Sequence, residues 1–187
     1  MFFETALMCL ALNTYHEAKN QSMIGQVATA QVVMNRVADS RFPNTVCEVV
    51  KQGPHRPSWE DPNKEYPIRH KCQFSWYCDG KSDEPKKDSK EWFNAKEYAR
   101  IVLSGRIVLD VTEGATHYHA TYVRPSWAKT KTRTTRIESH IFYLHEDPQI
   151  SAKMHCDKHV VKMIIEYAQM LSTAHRMLDG VMVKKPS

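Results

Sequence analysis

Asn13-Thr14-Tyr15-His16-Glu17-Ala18, followed after a short polar loop by Gly25-Gln26-Val27-Ala28, decides how this chain is read. The first stretch brings an apolar run to a stop at a carboxylate, with an aromatic ring and an imidazole beside it. The second opens another apolar run. Spacing predicts a helix over residues 3–16, with Phe3, Leu7, Leu10 and Ala11 on one stripe. A second helix is predicted over 24–38, with Ser22 as its N-cap and Val27, Ala30, Met34 and Val37 recurring every three or four residues. A glutamate at such a junction can be shielded by core on one side and open to a substrate on the other. Burial disfavours the charged form and raises the pKa, as a general acid working near neutral pH requires. A solvated glutamate at a helix end carries the same local signature, so the rest of the chain has to decide.

Outward from this junction, Arg41-Phe42-Pro43-Asn44 stops the second helix, and a short helical turn follows at 46–51. Gly53, Pro54, Pro57, Pro62 and Pro67 then interrupt any regular element between 52 and 69, which makes a long loop of the functional kind. Gln73-Phe74-Ser75-Trp76 and a polar turn at Asp79-Gly80 lead to a third amphipathic helix over 89–104, which buries Trp92, Ala95, Ala99 and Val102 and is closed by Gly105. Short strands are expected at 107–109, 116–119 and 141–143. The basic run 129–136 reads as a solvated edge or loop, or as a contact for an anionic polymer. The fold class is therefore α+β, mainly helical, with a small β-sheet. After Tyr143 the pattern changes to a long helical segment over 155–178, so the chain divides into 1–143 and a helical C-terminal extension, 144–187.

Composition narrows the classes. The 187 residues, 42% of them hydrophobic, can build one ordinary core with an appendage. The balance of 26 Lys+Arg over 21 Asp+Glu, a net +5, suits a polyanionic partner such as nucleic acid or an anionic wall polymer. The longest apolar run, from Ala6 to Leu12, is too short to span a bilayer, so no membrane insertion is expected. Met1-Phe2-Phe3-Glu4 lacks the basic start of a secretory signal, which points to synthesis in the cytoplasm. The five cysteines, Cys9, Cys47, Cys72, Cys78 and Cys156, are scattered without zinc-knuckle spacing and are read as reduced thiols.

Seven blocks together carry a family pattern in order and spacing. They begin at Tyr15-His16-Glu17-Ala18, Gly25 to Val37 and Arg41 to Cys47. They continue at Gln73-Phe74-Ser75-Trp76, Gly114-Ala115-Thr116-His117-Tyr118, Pro125-Ser126-Trp127 and His140-Ile141-Phe142-Tyr143. Over about residues 5–143 the chain resembles the SleB-type cell-wall hydrolases, the family of spore-cortex-lytic enzymes and related phage lysins. The resemblance implies a lysozyme-like, transglycosylase-like catalytic domain that cuts the glycan strands of peptidoglycan, with Glu17 at the position of the catalytic glutamate. It also implies action on the wall after release from the cell, as a monomer and without a cofactor. Many members continue with Arg-Gly-Glu where this chain has Lys19-Asn20-Gln21, which removes a second carboxylate close to Glu17.

The chemistry that follows needs only one carboxyl. Hydrolytic glycosidases place two across the bond, and Asp79, Asp110 and Glu113 are the candidates for a second. In a lytic transglycosylase the C6 hydroxyl of the muramoyl residue attacks its own anomeric carbon, so Glu17 alone can serve as acid and then base, with the gain of proximity. Around it, Ser75, Thr116 and Tyr118 can hydrogen-bond sugar substituents, with His117 in the same block. Trp76 and Trp127 either stack on pyranose faces or anchor loops, and Gln26 can face the cleft from the start of its helix. Asn35 and Arg36 read as core-holding.

Rival functions are a non-catalytic glycan-binding module, a zinc amidase and nucleic-acid binding. His117 and His119 share a strand face, but His16-Glu17 is followed by Gln21 where HExxH would need a histidine, so no metal is assigned. His155 and His159 are spaced for one helix face, a polar helix start or a metal pair. No DNA- or RNA-binding motif accompanies the basic run, and no nucleic-acid partner is assigned.

Overall fold

The computed structural model describes residues 2–107 and 109–145, with side chains from Ala6 onward. Residues 1–145 form one compact unit. The helix expected over 155–178, with His155, Cys156 and His159, lies outside the described residues. No described helix is long and apolar enough to cross a membrane.

Helix α1 (Phe2–Ala18) is the hub, because α2 (Met23–Ala38), α3 (Val46–Val50) and α4 (Lys90–Leu103) all pack against it. This enclosure explains why α1 is not simply amphipathic. Leu10, Ala11, Asn13 and Thr14 have no solvent exposure; Thr14 is satisfied within the helix and Asn13 through its oxygen across the core, while Asn13 Nδ2 has no partner. Thr14 Oγ1 donates to the Leu10 carbonyl at 2.9 Å, and Asn13 Oδ1 accepts from Trp76 Nε1 at 3.0 Å. The main core joins Leu10, Val33, Val49, Val50, Trp92 and Ala95 between these helices.

Helix α2 is buried continuously from Gly25 to Val33 because it is covered twice, by the helices and by a sheet. Ser22 does occupy its N-cap position, but its hydroxyl makes no cap bond. The acceptor comes instead from Glu138, whose carboxylate receives the Ser22 N–H at 3.1 and 3.3 Å. A negative group there also suits the positive end of the helix. Gly25 is what permits this approach: a Cβ would lie 2.7 Å from Gln21 Cβ and 3.1 Å from Glu138 Oε2.

The covering sheet is antiparallel in the order β3 (His117–Ala120), β5 (His140–Leu144), β4 (Thr132–Ile137). Tyr118 pairs with Phe142 in its register, and a bulge interrupts β4 between Arg133 and Arg136. Ala28 and Val32 of α2 meet Val111, Ala115, Ile137 and Phe142 to form the second core. The basic run expected as a solvated edge or loop is thus mostly an edge strand, with Thr132, Arg133 and Arg136 outward and Ile137 inward.

Two expectations need correction. The strand anticipated at 107–109 does not form at Ile107 or Leu109, and Val108 lies outside the described residues. Buried Gln31 takes the place of a neighbouring strand there, donating to the Leu109 carbonyl at 2.8 Å and accepting from Val111 N–H at 3.0 Å. The cysteines expected to remain thiols are paired as Cys9–Cys47 and Cys72–Cys78. Packing of α1 on α3 brings the first pair to a Cα separation of 5.3 Å, and the turn through 75–78 brings the second to 6.1 Å, both within disulfide reach. Sequence spacing carries neither proximity. The 52–69 segment is not wholly irregular either: β1 (His55–Pro57) and β2 (Glu65–Pro67) pair as a short antiparallel ribbon.

Candidate active site

Glu17 sits one residue before the end of α1, where the helix leaves the core and opens into a cleft of about 640 Å³. One wall comes from the 3-10 turn Ser75–Cys78 and the residues after it, the other from β3 and the start of β5. Residue Glu17 is partly buried, and Tyr118 Oη, reaching across from β3, donates to its Oε2 at 3.1 Å. Burial raises the Glu17 pKa above that of an ordinary carboxylate. The Tyr118 hydrogen bond and the positive Arg36 pull the other way without cancelling it.

Arg36 is read from sequence as core-holding, and it is 4% exposed. Its Nε donates to the Thr116 carbonyl at 2.7 Å, and the guanidinium carbon lies 5.2 Å from the ring centres of both Phe42 and Phe74. Its charge nevertheless reaches Glu17 and Tyr118. Asn35 staples the neighbouring loop, donating to Asp110 Oδ2, Thr112 Oγ1 and the Ala115 carbonyl at 2.8–3.2 Å.

Of the substrate-binding candidates, Ser75, Trp76 and Tyr118 line the cleft with Glu17. Trp76 is mainly an anchor: it is 9% exposed, bonded to Asn13, and stacked on His16 with ring centres 4.6 Å apart. Gln26, Thr116, His117 and Trp127 are not among the residues that line this cleft. Gln26 is buried where α2 is covered on both sides, and its Nε2 donates to the Gln21 carbonyl at 3.0 Å. Thr116 is buried, and its hydroxyl shares a hydrogen bond of 2.9 Å with His117 Nδ1. His117 lies on the face of β3 opposite Tyr118, with Trp127 at 5.5 Å and Phe42 at 6.1 Å; His119, two residues on along that face, does line the cleft. Burial, aided by the positive Arg36 and Lys131, lowers the His117 pKa to about 3 and keeps the ring neutral.

The cleft also holds residues that the sequence pattern does not mark as substrate contacts. His140 is 7% exposed, packs edge-on to Tyr118 at 5.1 Å and is held neutral mainly by burial. His16 Nε2 donates to the Asp83 carbonyl at 3.1 Å, which fixes the tautomer of a ring already clamped by Trp76. Among the proposed second carboxylates only Asp79 lines the cleft. Asp110 is consumed structurally, accepting from Thr112 N–H, Thr112 Oγ1, Gly114 N–H and Asn35 at 2.6–2.8 Å. Glu113 occupies a turn at φ 57°. Asp83 does line the cleft, and burial raises its pKa; its polar-turn context gave no signal. Among the described residues no group of three or more His, Cys, Asp or Glu side chains is placed to hold a metal ion.

A carboxyl shielded at a helix end and facing a small antiparallel sheet across a groove is the arrangement of a lysozyme-like catalytic domain. The comparisons agree at the level of family and fold. A sequence model of the cell wall hydrolase family matches residues 20–143, and the chain belongs to that family. Two solved structures are similar. The catalytic domain of the germination-specific lytic transglycosylase SleB from Bacillus anthracis has a TM-score of 0.54 and 24% identity, over 74% of this chain and 93% of that one. The catalytic domain of the Bacillus cereus SleB protein has a TM-score of 0.54 and 25% identity, over 75% of this chain and 90% of that one. No curated protein matches the chain. Glu17 precedes the segment that the family model matches.

Proposed function

We propose that this chain degrades peptidoglycan by lytic transglycosylation, with Glu17 as the acid and then the base. The observation that carries the reading is a desolvated carboxyl in an open cleft, held through Oε2 by Tyr118. The protonated group delivers its hydrogen to the glycosidic oxygen as the C1–O bond to the leaving sugar breaks. The carboxylate then receives the proton of the muramoyl C6 hydroxyl as that oxygen bonds to C1. No water is consumed, and the product carries a 1,6-anhydromuramoyl end. The similarity to a lytic transglycosylase domain supports this assignment over simple glycan binding. Asp83 supports the hydrolytic alternative, in which it would activate a water molecule.

Mass spectrometry of soluble products from purified sacculi, digested in heavy-oxygen water, separates the two. Anhydro ends without the heavy label are expected; labelled reducing ends would overturn the transglycosylase reading. The protein is expected to act as a monomer on the wall side of the membrane, after synthesis in the cytoplasm. A single species in sedimentation velocity would support the first part.

The pH profile should follow Glu17. The acid form is needed to cleave, so the rate holds at pH below the Glu17 pKa and falls as pH rises through it. Because burial raises that pKa, the alkaline fall should lie above the value of about 4.3 for a free glutamate. Tyr118→Phe removes a bond that favours the ionised carboxyl, so it should move this fall further towards alkaline pH. It should also cost about tenfold in kcat/KM through looser placement of Glu17, the usual scale of one hydrogen bond. An unchanged rate and an unmoved profile would deny Tyr118 this role.

A further inference from the structure

The ribbon β1–β2 and its connecting turn serve neither the core nor the cleft described above. Every residue of the ribbon is exposed except Pro67, so the pairing of His55–Pro57 with Glu65–Pro67 buries almost nothing. An isolated two-stranded ribbon gains little stability of its own. Yet this one carries Trp59 at 93% exposure on its turn and Tyr66 at 52% on β2. Arg56 is the cross-strand partner of Tyr66, so a guanidinium and a phenol ring share one face. The turn is ordered rather than loose: Ser58 N–H donates to the Lys64 carbonyl at 2.7 Å and Lys64 N–H to the Asp61 carbonyl at 2.9 Å.

The ribbon is also continuous with the cleft. Arg69 Nε donates to the Asp79 carbonyl at 3.2 Å, and His70 N–H to the Cys78 carbonyl at 3.0 Å. His55 lies 6.5 Å from the Tyr77 ring, and Cys72–Cys78 ties the same loop shut. That loop supplies Ser75, Trp76 and Asp79 to the cleft wall.

We propose that the 53–71 arm is a second glycan-binding surface, on which Trp59 stacks against a pyranose ring of peptidoglycan and Arg56, beside Tyr66, meets a carboxylate of the same polymer. The ligand assignment rests on the peptidoglycan reading above. An amphipathic ring with no protein neighbours offers a flat apolar face of sugar size at small entropic cost. A guanidinium beside an aromatic ring supplies what a glycan bearing lactyl and peptide carboxylates adds to a plain sugar. The arm would keep the enzyme on an insoluble wall while successive bonds enter the cleft.

The test is co-sedimentation of the full chain with insoluble sacculi, in a Glu17→Gln background so that binding is read without cutting. Trp59→Ala should weaken binding about three- to tenfold, the range of one aromatic contact, and Trp59→Tyr should recover part of it. Arg56→Gln should weaken binding at low salt and reduce its salt dependence. Trp59→Ala binding as tightly as its parent would overturn the proposal, as would equal losses in the Ala and Tyr variants. Loss of a concentration-dependent dimer in Trp59→Ala would also overturn it, assigning the surface to a second copy of the chain. Should the wild type release no soluble glycan while Trp59→Ala still loses binding, the activity reading fails and the arm stands.

Discussion

Glu17→Gln is expected to abolish release of soluble glycan from sacculi, lowering the rate by about 10³-fold or more, while the protein stays folded. General acid catalysis alone contributes about 10²–10⁴-fold, and in the proposed cycle the same group also accepts the proton of the attacking hydroxyl. Gln keeps the shape and can still accept from Tyr118, so the variant tests the proton rather than the packing. Its stability should be unchanged or higher at neutral pH. In the wild type burial opposes ionisation of Glu17 and raises its pKa. The stability of the wild type therefore falls as pH climbs from the unfolded towards the folded pKa. A neutral amide has no such dependence. Asp83→Asn is the companion measurement: it should leave the anhydro product in place. Turbidity assays on sacculi read the rates of both variants, and mass spectrometry of the soluble products reads the anhydro end. Clearing at wild-type speed by Glu17→Gln would remove Glu17 from the mechanism, and loss of all activity in Asp83→Asn would favour hydrolysis.

The position of Glu17 is legible in the sequence because it depends on local order. The apolar run stops, the carboxyl follows, and α1 indeed ends at Ala18. The helices α2 and α4 are legible for the same reason. What fails is whatever depends on which face of an element meets what. The Tyr118 bond to Glu17 spans 101 residues. His117 lies on the opposite face of β3 from Tyr118 because strand side chains alternate, yet His119 on that same face lines the cleft, so position along the strand matters as well as parity. Gln26 fails differently. It lies near the start of α2, as a cleft residue would, but the sheet covers that end of the helix. Ile107-Val108-Leu109 has strand composition, yet Gln31 takes the Leu109 carbonyl and the Val111 N–H where a strand partner would be needed. Glu138 shows the converse: a charged turn residue with no motif around it supplies the acceptor for α2.

Removing the Cys9–Cys47 bond is the change expected to cost most in stability. The two residues are 38 apart, and closing a loop of that length restricts the unfolded chain by about 3–4 kcal/mol in the chain-entropy account. In a domain of this size that corresponds to a fall in Tm of about 10–15 °C for Cys9→Ala/Cys47→Ala. Helix α3, of five residues, is too short to be stable by itself and depends on what holds it to α1. Cys9 sits in the main core beside Leu10, with Val46, Val49 and Val50 facing it from α3, so the apolar contacts partly retain the geometry when the sulfurs are gone. The variant should therefore fold, but melt early. Cys72→Ala/Cys78→Ala should behave otherwise. It opens a loop closed across six residues, which restricts the unfolded chain by only about 2 kcal/mol, but that loop carries Ser75 and Trp76 into the cleft and leads directly into Asp79. Its main effect should be a higher KM. Thiol titration of the unfolded, unreduced chain gives an independent check, with four of the five cysteines expected to be unreactive. If all five react, or if the Cys9/Cys47 variant melts with the wild type, α3 is held by packing alone and the pairing is wrong.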